Sequence, residues 1–310
     1  MNCTSKLTAG VLALLLAAGA AAQTKLITLG TQGGPIPKVQ RSQPATAVVV
    51  RDRVYLFDAG NGVARQLVAA GFNFRQVERI FITHHHDDHN ADVGTLMGLQ
   101  WATGRRAPTH VYGPAGMQSM MQGFLQYFQP NARIRSADSK GQPPPEKMFI
   151  AHDIPGSGPV YEDEFISVTA QENCHYAHDS AATRPGIDKS YAYRIKTPDK
   201  VIVISGDTGP CPVLEAFSRD ADLLVHEVID LPLIEKGLRG SPATEALMRH
   251  MIEEHTTAEE VGRLATAARV KQVVLTHVIP GGDEPDSVYL EPLRKHFKGP
   301  ATVARDLMSF

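Results

Sequence analysis

Six consecutive residues constrain this chain more than any other feature. His84-His85-His86-Asp87-Asp88-His89 follow directly on the apolar run Ile80-Phe81-Ile82-Thr83. Such a run reads as a buried strand, here Val77–Thr83, and Asn90, a good N-cap residue, opens the helical pattern that follows. The histidines and aspartates therefore sit on a loop between a strand end and a helix start, where α/β proteins carry their chemistry. Neutral imidazoles and carboxylates suit zinc and similar divalent ions. The spacing aims His84 and His86 at one ion and Asp88 and His89 at a second close by. His85 and Asp87 hold the alternate positions and point away.

A loop of this size cannot complete two sites. Three other strand-like runs end in the missing ligand types: Phe165–Gln171 leads to His175, Val201–Ser205 to Asp207, and Val273–Thr276 to His277. If these strands face the same way, their ends converge on one edge.

The rest of the chain agrees with such a frame. Strand-like segments (Lys25–Thr28, Ala47–Val50, Val54–Phe57, Thr109–Tyr112, Tyr191–Lys196, Leu223–Val228, Thr302–Met308) alternate with helix-like ones (Gly62–Ala70, Asp92–Thr103, Gly116–Phe128, Leu214–Ser218, Pro242–Glu253, Thr257–Ala268, Ser287–Phe297). The alternation predicts an α/β protein with helices covering sheets. Residues 130–158 carry Gln142-Pro143-Pro144-Pro145 and read as a mostly irregular insertion. At 310 residues, 43% hydrophobic and 21% charged, the chain is neither disordered nor fibrous.

Residues 1–22 have one lysine, an apolar Leu/Ala/Val stretch and a terminal Ala20-Ala21-Ala22. This pattern predicts a cleaved secretory signal, a single domain over residues 23–310, a periplasmic or secreted location and no stable membrane anchor. The formal net charge of −2 argues against binding nucleic acid by gross charge.

In order along the chain, these motifs resemble the metallo-β-lactamase superfamily, and within it the tRNase Z and arylsulfatase-like branch. The resemblance rests on Leu29-Gly30-Thr31, Gly33-Gly34-Pro35, Tyr55–Gly60, His84–His89, Ser205–Thr208, His226-Glu227, His255–Ala258 and Leu275–His277. It implies a four-layer αββα sandwich with two divalent ions at one edge, zinc first and manganese or iron as alternatives. By that analogy His84, His86 and His175 hold the first ion, Asp88, His89 and His277 the second, and Asp207 bridges them. His178 competes with His175, because the stretch after it is longer than the family pattern. Asp58 would orient a ligand histidine. His226, Glu227 and His255 resemble the branch's additional motif. With Asp88 they complete the expected catalytic set: His255 held by Glu227 as proton donor, and His226 lining the substrate pocket.

The reaction this implies is hydrolysis by a hydroxide shared between two metals. The expected substrate is a small phosphodiester or aryl sulfate ester. A lactonase or β-lactamase-type activity, or a non-catalytic metal-binding protein, are the alternatives. Export, and the absence of any basic run longer than a pair such as Arg105-Arg106, lead to the expectation of no nucleic-acid partner. The branch also admits a homodimer. Cys174 and Cys211 lie on loops that should meet at the metal edge, where a disulfide between them is feasible.

Overall fold

The computed structural model describes residues 24–138, 141–177 and 186–310. The expected signal segment and His178 lie outside the described residues.

Among the described residues, fourteen strands form two seven-stranded sheets. The first contains β1 (Thr24–Gly30), β2 (Ala45–Val50), β3 (Arg53–Phe57), β4 (Arg79–Phe81), β5 (Thr109–Gly113), β6 (Phe149–Asp153) and, from the far end of the chain, β14 (Met308–Ser309). The second contains β7 (Gly158–Glu162), β8 (Ser167–Glu172), β9 (Tyr191–Lys196), β10 (Val201–Ile204), β11 (Leu223–Ile229), β12 (Gln272–Ile279) and β13 (Ala301–Val303). Strands β3 to β6 run parallel to one another, and so do β10 to β13. Strand β8 reverses into β9 and β9 into β10, so β8 runs in the same sense as β10.

Three apolar layers hold the sandwich. Leu56, Ile80, Ile82 and Val111 face Leu96, Trp101, Met121 and Phe128 on outer helices. Val225, Val274, Ile202 and Tyr193 face Phe57, Phe81 and Val48 between the sheets. Leu224, Leu275 and Val278 face Val261, Ala265 and Leu293 on the opposite outer layer. Side chains that alternate along a strand reach both layers at once, which is why β2 is buried throughout. This is the αββα architecture expected from the sequence.

Polar links tie the sheets together beside the histidine loop. The Tyr193 hydroxyl donates to Ile82 O at 2.7 Å, and Tyr191 N–H donates to Thr83 O at 2.9 Å. Cys174 and Cys211 are joined as a disulfide, with Cα atoms 5.4 Å apart.

Two local expectations are corrected. Residues 130–158 are not mostly irregular: Met117–Asp138 is one helix with Pro130 inside it, Pro145–Met148 is a short helix, and β6 follows at once. Met117, Met121, Phe128 and Ala132 are buried along one face of the long helix, so packing carries it through the proline. Asn90 does not open a helix either. It closes the turn Asp87–Asn90, and the next helix, Val93–Ala102, begins after Asp92.

Candidate metal centre

The ends of β4, β8 and β10 and the strand β12 bring the expected ligands to one edge of the sandwich. His84, His86, His175 and Asp207 form one group, and Asp88, His89 and His277 a second; within each, the ligand atoms lie within 4.8 Å of one another. Asp207 also groups with His255 and His277. In the first group His86 Nδ1 lies 3.0 Å from His84 Nε2 and 3.2 Å from His175 Nε2. In the second, His277 Nε2 lies 2.9 Å from Asp207 Oδ2 and 3.3 Å from Asp88 Oδ2. His89 Nε2 lies 3.3 Å from Asp207 Oδ2.

The surroundings fix each ring. His175 Nδ1–H donates to Glu254 O at 2.9 Å, which turns Nε2 toward the centre. His84 Nδ1 meets Thr83 Oγ1 at 3.0 Å. His89 Nδ1 meets Asp58 Oδ2 at 2.8 Å, and Asp58 also accepts from Thr83 N–H and Oγ1–H. Asp58 holds a left-handed backbone (φ 58°), an uncommon conformation for a residue other than glycine, retained where it aims a carboxylate at a ligand histidine. Gly33 packs where a Cβ would strike His277, so this motif position takes no side chain.

Charge separates the two groups. Burial lowers His84, His86 and His175 below the ordinary imidazole range, leaving three neutral rings. Burial would do the same to His89 and His277, but Asp207 and the other carboxylates outweigh it. His89 is raised well above its ordinary value and His277 to about 10.

These residues fit divalent cations. His89 Nε2 and Asp207 Oδ1 are buried, and neither has a hydrogen-bond partner among the described residues. Buried polar atoms without partners are costly unless something binds them. Three neutral imidazoles converging on one point, beside a carboxylate-rich group, are a donor set for zinc-like ions.

Beside the centre, His255 Nδ1 lies 2.8 Å from Glu227 Oε2, and Glu227 Oε1 accepts from Thr208 N–H at 2.6 Å. Burial raises Glu227 and alone would lower His255, yet attraction to Glu227 prevails and His255 is raised. The His255 ring stacks on that of His277 at 5.8 Å and meets that of His175 edge-on at 5.3 Å.

His226 is set apart from this centre. Neighbours on a strand face opposite ways, and His226 shares its side of β11 with Leu224 and Val228, under the outer helices. It does not line the metal edge as the resemblance implied. His85 contacts Pro114 O and Ala115 O, away from the ligands, and Asp87 is exposed.

Two residues escaped the sequence reading. Tyr176 stands over the first group, its ring 4.8 Å from that of His175 and 5.6 Å from that of His86. His250 lies 5.4 Å from the His255 ring, with Nδ1 3.1 Å from Glu254 Oε1. The i,i+4 spacing of His250 and Glu254, directly before His255, was the available signal.

Comparison with known proteins agrees with this geometry. Residues 53–278 match the family model of the beta-lactamase superfamily domain. A ribonuclease Z of Mycobacterium sp. (strain KMS) is 30% identical over 258 residues, 82% of this chain and 84% of that protein. The metallo-beta-lactamase fold protein YhfI of Bacillus subtilis superposes with a TM-score of 0.69 at 19% identity, covering 93% of this chain and 98% of that one. Human tRNase Z, short form, superposes with a TM-score of 0.65 at 20% identity, covering 92% and 98%.

The expectation of no nucleic-acid partner is overturned by the ribonuclease Z and the tRNase Z among these proteins, whose names state action on RNA. The charge argument behind it addressed the whole chain, whereas bound cations can meet a substrate's phosphates locally.

Proposed function

This chain belongs to the beta-lactamase superfamily, and on that premise we propose that it hydrolyses phosphodiester bonds with two divalent cations, zinc first, held by the two ligand groups. His84, His86 and His175 would hold one, Asp88, His89 and His277 the other, with Asp207 shared between them. When bound, such a pair activates water and neutralises charge on the phosphoryl oxygens.

The observation that carries the reading is the buried His255–Glu227 pair beside Asp207 and His277. An oxygen leaving group needs a proton as its bond to phosphorus breaks. His255 is raised by Glu227, which favours its protonated form, and Glu227 takes Nδ1, so Nε2 would be the atom that gives the proton. Thr208 N–H locks the Glu227 carboxylate, and Glu227 locks the imidazole, so the donor is positioned before substrate arrives. Asp58 and Glu254 O do the same for His89 and His175.

The named activities of the relatives bring polynucleotides into the substrate range alongside small phosphodiesters. We also propose export from the cytoplasm. The Cys174–Cys211 pairing supports it, since structural disulfides persist in oxidising compartments. Fractionation of cells expressing the full chain tests this, and a cytoplasmic pool with both thiols free would refute it.

The test of the reaction is a matched panel: bis(p-nitrophenyl) phosphate, p-nitrophenyl sulfate and a short RNA with a 3′ extension, each with and without chelator. Chelator-sensitive cleavage of a phosphodiester, faster than of the sulfate, is expected. Faster sulfate cleavage would replace the phosphodiester by a sulfate ester. Metal-loaded protein that cleaves neither phosphodiester would overturn the reading.

A further inference from the structure

His226 forms the floor of a cavity of about 360 Å³ between the Pro212–Phe217 and Ala258–Ala267 helices. Its residue is 1% exposed. Nδ1 lies 2.9 Å from the backbone carbonyl of Glu227, a group that only accepts, so Nδ1 carries the proton. Burial lowers the ring to about 4, which keeps it neutral. Nε2 is therefore a lone-pair acceptor, and it has no partner among the described residues.

The remaining lining decides what that acceptor would meet. Pro210, Pro212, Leu214 and Leu264 supply apolar wall. Arg263 is already engaged by Glu259 and His296, so it offers no unpaired cation to an anion. Glu215 and Glu260 at the lining disfavour an anion further. What is left is an apolar chamber with one buried acceptor at its base, the arrangement by which small-molecule sites orient a ligand.

We propose that this cavity is a second binding site, for a small, uncharged, mainly apolar molecule that donates one hydrogen bond to His226 Nε2. The site is independent of the phosphodiester reading. It lies behind the catalytic wall: Gly209 and Cys211 lead from Asp207, and Thr256, next to His255, donates from its hydroxyl to Thr208 O at 2.6 Å. An occupant would touch both segments that position Asp207 and His255.

The test titrates metal-loaded, full-length protein with indole, which has only an N–H donor, and with 1-methylindole, which lacks it. Binding is followed by calorimetry in every variant and, in the unmodified protein, also at the His226 ring by NMR. Indole is expected to bind saturably and about tenfold tighter than 1-methylindole, the worth of one hydrogen bond. His226→Phe should abolish that preference. Ala267→Trp, at an exposed position on the rim, should block both probes without disturbing the core. Equal binding of the two probes, no saturable shift at His226, or indole binding that survives Ala267→Trp would each overturn the proposal.

Discussion

The two halves of the candidate metal centre are built from the same residue types and have opposite electrostatics. In the first, His84 and His175 are oriented by neutral groups, the Thr83 hydroxyl and Glu254 O, and all three rings are neutral. In the second, Asp58, Asp88 and Asp207 surround His89 and His277, and both rings hold protons. The first half thus presents lone pairs ready for a cation. The second must exchange protons for one, and the carboxylates that impose this cost also supply the attraction that offsets it. The difference predicts ordered loading, first half before second.

The largest break comes from the shared residue. Asp207→Ala should strip cations from both halves and lower phosphodiester turnover by about 10³-fold or more, read by metal analysis and rate together. If one half keeps full occupancy, Asp207 is not shared.

His255→Ala should leave both cations in place and cut kcat by roughly 10²–10⁴-fold for an ester with an alcohol leaving group. With p-nitrophenolate, which leaves without a proton, the loss should be far smaller. An equal loss on both substrates would remove His255 from the donor role.

Asp58→Asn sharpens the contrast between the halves. It should weaken cation binding in the second half by about 10–100-fold and spare the first. Weakening of both would show that the halves are not separable.

Proton counting reads the same contrast without a mutation. At pH 7, calorimetry in buffers of different ionisation heat should show almost no protons released with the first cation and about one or more with the second. The sign follows from His277, which Asp207 and Asp88 raise to about 10 and so hold protonated at pH 7; second-half affinity should fall as pH falls. First-half affinity should stay flat from pH 6 to 8. The smallest effect on turnover is expected from Cys174→Ser with Cys211→Ser, which should cost about 2–4 kcal/mol of stability.

The candidate ligands were legible because four of them fall within six consecutive residues and the others follow apolar strands, so local pattern and tertiary position coincide at His84, His86, Asp88, His89, His175, Asp207 and His277. His226 was misread for a reason the sequence already contained. It adjoins Glu227 on a strand, and adjacent strand residues cannot face the same side. The chain was read as irregular from residue 130 onward, but the buried Met121, Phe128 and Ala132 outweigh the one hydrogen bond that Pro130 removes from the helix. His250 and Tyr176 became visible only once the fold placed them over the ligands, because neither follows a strand. Sheet order, including the return of Met308–Ser309 to pair with β1, depends on long-range contacts that no local pattern carries.

The most direct test is a titration of zinc into the metal-free protein, with turnover of bis(p-nitrophenyl) phosphate measured at each step. The account predicts little activity through the first equivalent, a steep rise through the second, and loss of all activity with chelator. Full activity at one equivalent, or none in protein shown to hold two, would contradict it.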